Sequence, residues 1–466
     1  MFQARIRPLA YTGHIGEIFN PRGAPFHQHL ANSFGGVVKD EQLYVSDAKA
    51  LHDILVKQQD VFEETSWFIL SNELTMGKGL LATTGEQHRR QRKMIAPFFS
   101  MRHLAEMTPV FFDVVKKVCE TLVFKTRNGP QEVDVHHWMN RTSLELIGQS
   151  GLGYSFDDLT EGALPNPYTT AAMGVPSARF KLNLYRRMVP YLVKLGPPQL
   201  RRFLVRLIPS SDVQRLREMV DIMWDTSLRI VASKKAALEQ GDDVMIQQVG
   251  RGKDIMSILL NANMHASESD RLPEKEVIGQ VSTLVFAAMG TTSSALSRVL
   301  HLLARHPHIQ ETLRREICEA WEEKGELSCA DLSNLPYLDA VVRETLRLYA
   351  PIPMVTRVAT QETVIPLSES IAGTDGRDIK EITVPKGTMV YIAIIKANRD
   401  PAVWGPDALE WKPERSVLSF LCECKRGHDG LPRWMRAQPL SDIGTQYPSV
   451  YANMYEHINT FTSSRN

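Results

Sequence analysis

The chain has 466 residues, with 54 Lys+Arg against 53 Asp+Glu for a formal net charge of +1, and 43% of it is hydrophobic. Such a chain is too long and too apolar to be disordered, and it has material for one large core or about three smaller ones. The near-neutral balance lacks the excess of Lys and Arg that phosphate binding needs, which argues against nucleic acid as a partner.

Five cysteines (Cys119, Cys318, Cys329, Cys422 and Cys424) are too few and too odd in number for a disulfide framework, and they suit a reducing compartment. No apolar run reaches the length of about 18 residues that a spanning helix needs, and the first residues lack a signal-peptide core. The expectation is a chain without an N-terminal anchor.

In chain order, the pattern predicts a strand over 37–45 broken at Asp40-Glu41, then a helix over 103–125. Residues 162–176 read as a loop, 214–238 as a helix and 240–253 as a second loop. From Pro273, placed as a first-turn proline, helical spacing runs unbroken over 273–305, roughly 50 Å at 1.5 Å per residue. A helix of that length has to be central. Another helix is expected over 335–349, followed by strands over 363–367, 379–384 and 388–395, the last two flanking the turn Pro385-Lys386-Gly387. After Arg415 neither period persists. The fold class is mainly α with a small β-sheet.

Two helical runs carry unusual chemistry. In the long helix, Phe286-Ala287-Ala288-Met289-Gly290-Thr291-Thr292-Ser293-Ser294 concentrates small and hydroxylic residues, which weaken a helix and compete for its carbonyls. This run suits either a close helix crossing or a groove in which a bound molecule meets a threonine hydroxyl. In the 335–349 helix, Glu344 and Arg347 share a face among Leu338, Val341, Val342, Thr345, Leu346 and Leu348. The pair is therefore expected to be buried and in need of a further partner.

These runs, with Asn398-Arg399-Asp400-Pro401 and Trp411-Lys412-Pro413-Glu414-Arg415, resemble the cytochrome P450 family, most closely its fungal members. The resemblance covers 23–415 in order and resumes over 447–454. It implies that Glu344 and Arg347 form the family's E-x-x-R, with Arg415 joining them in a structural network. It implies haem as cofactor, with His88 and Arg92 standing for the W-x-x-x-R that faces the propionates and Arg357 as a further propionate-facing arginine. Thr291 matches the threonine of A-G-x-[DE]-T-T that meets dioxygen or its water, while Ala288 replaces the glycine and Gly290 the acid, so no carboxylate is left there to relay a proton. Substrate-lining segments are expected over 62–80, 182–207, 287–291 and 352–355, among them Ala287, Met354 and Val355.

The family's haem-cysteine pattern, F-x-x-G-x-R-x-C-x-G, does not occur in the sequence, so no axial metal ligand can be assigned. Cys422 and Cys424 follow Arg415 too closely and lack the flanking glycine and arginine. The expected organisation is a P450-like domain over 1–415, an unspliced insert over 416–433, a resumed P450-like segment over 434–454 and an unrelated tail over 455–466. The fold would then lack the haem-ligand loop, the helix after it and the final hairpin. Met454-Tyr455-Glu456 must be encoded ATG-TAY-GAR, which contains a sequence resembling a fungal 5′ splice site. Removing 416–433 would also bring Trp434 next to Arg415, as the family has it. The membrane helix and proline-rich hinge that open microsomal members are absent from the front.

The resemblance implies a haem-thiolate monooxygenase that oxidises a small apolar organic substrate, in secondary or xenobiotic metabolism, with electrons from NADPH-cytochrome P450 reductase. By family it would sit at the endoplasmic reticulum membrane. The chain as written would be cytoplasmic or peripheral, and inactive without its thiolate. A non-catalytic protein that binds small molecules or partner P450s is the alternative. A third reading, an all-helical terpenoid synthase, rests on Asp157-Asp158-Leu159-Thr160-Glu161 as a magnesium motif, but its usual partner motif is absent near Asn140, and capping or loop roles suit the aspartates better. His136-His137 point about 100° apart on a helix and read as structural. Asn140-Arg141-Thr142 fits a glycosylation acceptor, with nothing else to indicate secretion.

Overall fold

The computed structural model describes residues 26, 37–39, 42–164, 166–182, 188–240, 253–372 and 378–415. The loop expected over 240–253 lies almost wholly outside them, as do Cys422, Cys424 and everything after Arg415. The chain divides into two compact units, one holding 66–343 and 413–415 and the other 37–65 and 344–412 of the described residues.

The larger unit is helical: α1 (Ser66–Met76), α2 (Gly85–Ile95), α3 (Met101–Thr126), α4 (Val135–Ile147), α5 (Pro167–Lys181), α6 (Pro198–Arg206), α7 (Ser211–Gln240), α8 (Ile255–His265), α9 (Glu274–Arg305) and α10 (Pro307–Lys324). A final helix, α11 (Pro336–Leu348), is cut by the boundary between the units. Local chemistry starts these helices where polar caps stand: Ser100 accepts from His103 N, Asp134 from His137 N and Asp254 from Ser257 N. Pro273 is the cap residue of α9 rather than part of its first turn. Helix α9 packs along α4 and α7, and α7 along α5, around Leu144, Met223, Ile230, Met256, Val281 and Val285.

The loop expected over 162–176 is in fact helix α5 for most of its length. Asn166 accepts from Tyr168 N at 2.9 Å, Pro167 pre-sets the first turn, and Tyr168, Ala171, Ala172 and Val175 present one buried face. Packing of that face outweighs Pro176, which has no N–H to give inside the helix.

The smaller unit holds the sheets, β1 (Val37–Lys39), β2 (Leu43–Val45), β3 (Phe62–Glu63), β4 (Val355–Ala359), β5 (Thr363–Ala372), β6 (Asp378–Val384) and β7 (Met389–Ile392). Five of them run in the order β1-β2-β7-β4-β3, with β2 and β7 parallel (Leu43 opposite Val390) and the other pairs antiparallel, while β5 and β6 form a separate ribbon. The turn at Pro385-Lys386-Gly387 therefore passes the chain from one sheet to the other, with Gly387 at φ +84°. The strand expected over 388–395 stops at Ile392, and a short helix, Ile394–Ala397, follows.

Candidate functional site

Helix α9 is two surfaces in succession. From Glu276 to Val285 every residue is buried, whereas beyond that Ala287, Gly290, Thr291, Ser294 and Ser297 form a stripe that is partly or fully exposed. Their spacing places them on one face. The hydroxyls turn back onto the helix: Thr291 Oγ1 donates to Ala287 O at 2.7 Å, Ser293 Oγ to Gly290 O at 3.2 Å and Ser297 Oγ to Ser293 O at 2.7 Å. A methyl group added at Gly290 would meet no atom within 4 Å.

The close crossing is elsewhere, at Gly279. A Cβ there would lie 2.6 Å from Gly79 N and 2.9 Å from Lys78 C, and one on Gly79 would lie 2.5 Å from Gly279 O. Two backbones touch at these glycines. Within the small-residue run Gly290 is thus no crossing point, while Ala288, Thr292 and Ser293 are buried.

Helix α2 carries His88 and Arg92 one turn apart, the first half-buried and the second exposed. His88 Nδ1 donates to Leu80 O at 3.1 Å, and burial, then the charge of Arg92, pulls the imidazole pKa below its ordinary value. Its neutral form is favoured. To donate from Nε2 to a carboxylate, His88 must take up a proton, which the fixed N–H of tryptophan does not require.

The adjoining face of α2 is fastened to α9 by a network that the sequence reading missed. The buried Glu276 carboxylate accepts from Gln87 Nε2 at 2.8 Å, Gln91 Nε2 at 2.7 Å and Arg90 at 3.3 Å. Gln280 extends it, giving a hydrogen bond to Gln91 Oε1 at 3.0 Å and accepting one from Leu80 N at 3.1 Å. The available signal was Gln87 and Gln91 at i, i+4, about 100° around α2 from His88 and Arg92. This network sets where those two side chains stand relative to the helix bearing Thr291.

In the smaller unit, Arg357 on β4 pairs with Glu64, a partner not foreseen. Burial raises the Glu64 pKa and the arginine opposes that shift. Val355 is paired in register with Ile392 and Met354 packs against the Tyr44, Tyr391 and Ala393 cluster, so both belong partly to the sheet's own packing. Glu344 and Arg347 form the buried pair expected, with side chains 1% and 5% exposed and two parallel bonds of 2.7 and 2.8 Å. Main chain completes it: Arg347 donates to the carbonyls of Asn398, Ala408 and Glu410, and Glu344 accepts from Lys412 N. The indole of Trp404 lies 4.9 Å from the guanidinium. Arg415, the third expected member, is the last described residue and belongs to the other unit.

Asp157 serves as a loop clamp, accepting from Arg141 at 2.7 and 2.6 Å and from Leu159 N, where the terpenoid-synthase reading needed a magnesium ligand. Among the described residues no group of three His, Cys, Asp or Glu could hold a metal ion. Cys119 and Cys329 are buried and Cys318 is half-buried, its thiol pKa raised by burial and by Glu322. The α9 face carries nothing larger than threonine, and His88, Arg92 and Arg357 are donors of the kind propionates take.

The family model described as Cytochrome P450 matches residues 36–417. Cytochrome P450 monooxygenase 91 of Postia placenta is 47% identical over 454 residues, covering 96% of this chain and 80% of that protein. A ganoderic acid synthetase of Ganoderma lucidum is 39% identical over 455 residues, covering 95% and 80% respectively. The crystal structure of a cytochrome P450 matches with a TM-score of 0.67 at 20% identity, covering 93% of this chain and 86% of that one, a likeness of fold.

Proposed function

The chain belongs to the cytochrome P450 family, oxidoreductases whose cofactor is haem, and on that premise we propose that it inserts one oxygen atom of dioxygen into a small apolar organic substrate. NADPH supplies the electrons through a flavoprotein reductase. The observation that carries this reading is the open small-residue stripe of α9, which holds Thr291 and follows the fully buried stretch from Glu276 to Val285. The name of one relative, a ganoderic acid synthetase, supports a small organic product in fungal secondary metabolism.

Haem, if held by a thiolate, would supply the oxygen-activating centre. The chain's own residues orient and exclude. His88, Arg92 and Arg357 are the residues that would donate to the propionates, and Ala287, Met354 and Val355 those that would meet the substrate. Thr291, its proton committed to Ala287 O, accepts a hydrogen bond from water. Because Gly290 has no carboxylate, protons arrive through water rather than through a side chain at that position. Glu344, Arg347 and Arg415 act structurally. By family the protein works at the endoplasmic reticulum membrane.

For a polypeptide of these 466 residues alone, the missing F-x-x-G-x-R-x-C-x-G pattern favours the non-catalytic reading, a P450-like binder of small molecules or of partner P450s. Sequencing the transcript across codons 410 to 466 and beyond separates the two. A junction that leads from Met454 into the cysteine pattern supports the monooxygenase, and the repaired protein is then expected to show a thiolate-ligated ferrous–CO spectrum. Read-through as written, with no such spectrum from the expressed chain, moves the binder reading ahead.

A further inference from the structure

Arg179 of α5 is a half-buried cation whose partner is an amide. It stands at the border of the helix's buried face, with Ala178 before it 6% exposed and Phe180 after it 64% exposed. Its Nη1 donates to Asn72 Oδ1 of α1 at 3.0 Å. Taking a guanidinium out of water with no opposing charge is costly, and burial lowers its pKa with no carboxylate to offset the shift. From 162 to 211 the sequence has no Asp or Glu at all. The flanking carboxylates are engaged: Asp212 pairs with Lys181 at 3.5 Å, and Glu73, beside Asn72, with Lys78 at 3.6 Å.

The amide is fixed in its turn. Asn72 is fully buried and its Nδ2 donates to Leu81 O at 2.9 Å, so Oδ1 is the end turned to the arginine. Only one corner of the guanidinium is used. Nε and Nη2 meet no acceptor among the described residues, and neither is sealed from water. These two nitrogens form the edge of arginine that receives a carboxylate through two parallel bonds. The surroundings are apolar. Near its start α1 presents Trp67, Phe68, Ile69 and Leu70, all partly exposed, and α5 presents Met173 and Phe180. Residues 67–70 lie in the 62–80 stretch expected to line a substrate pocket, whereas in the other such stretch, 182–207, no described residue is buried.

We propose that Arg179 determines specificity by receiving, on its Nε–Nη2 edge, the carboxylate of an apolar monocarboxylic acid. Asn72 positions the guanidinium, and the hydrocarbon of the acid lies against the apolar side chains of α1 and α5. A neutral alcohol or hydrocarbon would leave the cation unpaired, so charge complementarity selects the acid. The inference rests on the monooxygenase reading and narrows its small apolar substrate to one class.

The test is a titration of the full chain, followed by tryptophan fluorescence, with dodecanoate and with dodecanol, which shares the twelve-carbon chain without the charge. Dodecanoate is expected to bind at least about tenfold more tightly, and Arg179→Gln to abolish that preference while leaving dodecanol unchanged. Arg179→Lys, which keeps the charge and loses the fork, should retain part of it. Lys194→Gln removes an exposed cation from the same carboxylate-free stretch and should change neither affinity. Equal binding of acid and alcohol by the parent chain, or binding of neither, overturns the proposal without appeal to any variant. A preference that survives Arg179→Gln, or one that Lys194→Gln lowers as much, overturns it as well. The ferrous–CO spectrum of the repaired protein keeps the two readings apart: a thiolate-ligated spectrum without a preference for the acid sinks this proposal alone, and the preference without the spectrum sinks the monooxygenase reading alone.

Discussion

The two halves of α9 carry similar small residues and end in opposite surroundings. Gly279 is pressed against Gly79 inside a sealed stretch that also holds the Glu276 network, whereas Gly290 opens onto free space in a stripe of alanine, threonine and serine. A small residue thus marks either a contact too close for a side chain or a surface kept low for something else to lie on. Only the neighbours distinguish the two.

Substitutions that treat both halves alike should separate them. Gly279→Ala is expected to cost about 3 kcal/mol in urea unfolding, since its methyl group would collide with backbone that cannot swing aside. A loss below about 1 kcal/mol would show that the crossing is loose. Glu276→Ala should cost about 2 kcal/mol by leaving Gln87 and Gln91 donors unmet, and Glu276→Gln should recover part of that because an amide oxygen still accepts. In the open half the sign reverses: Gly290→Ala should stabilise by about 0.5–1 kcal/mol, as alanine restricts the unfolded chain and clashes with nothing. Thr291→Ala should change stability by less than about 0.5 kcal/mol, as its hydroxyl bonds back to Ala287 O within its own helix. In the reconstituted monooxygenase the same change should lower product formed per NADPH consumed. Equal coupling in both proteins would remove Thr291 from the site.

A pH titration sharpens the contrast between sealed and open polar groups. Burial lowers the pKa of His88 and of His103, so the unfolded chain takes up these protons before the folded one. Stability is then complete above the ordinary histidine value near 6.5 and declines as pH falls below it. His103→Gln should flatten the decline in thermal midpoint between about pH 7 and pH 5, and an unchanged slope would assign the acid sensitivity to other groups.

Legibility followed sequence distance. The helices around 103–125, 214–238, 273–305 and 335–349 were readable within a few residues, because a 3.6-residue period is a local property. Glu344 and Arg347 could be paired from sequence, being three apart on an apolar helix, although their main-chain partners come from 398–412. Helix α5 was misread because Pro165, Gly174 and Pro176 mimic a loop, while the burial that holds it is supplied by other helices. Strand β4 was missed since its partners, β3 and β7, are remote in sequence. Family motifs singled out His88, Arg92, Thr291 and Arg357, but not what each one touches.

By itself the sequence determined the helical class, the long central helix, the Glu344–Arg347 pair and the family, all of which rest on residue types at short or fixed spacing. Tertiary structure alone decided that Gly279 rather than Gly290 is the crossing point and that Glu276 binds α2 to α9. It likewise paired Arg357 with Glu64 and gave Arg179 an amide for a partner. Each of these depends on groups brought together from distant parts of the chain, or left uncovered, when it packs, and no local pattern encodes which neighbour arrives.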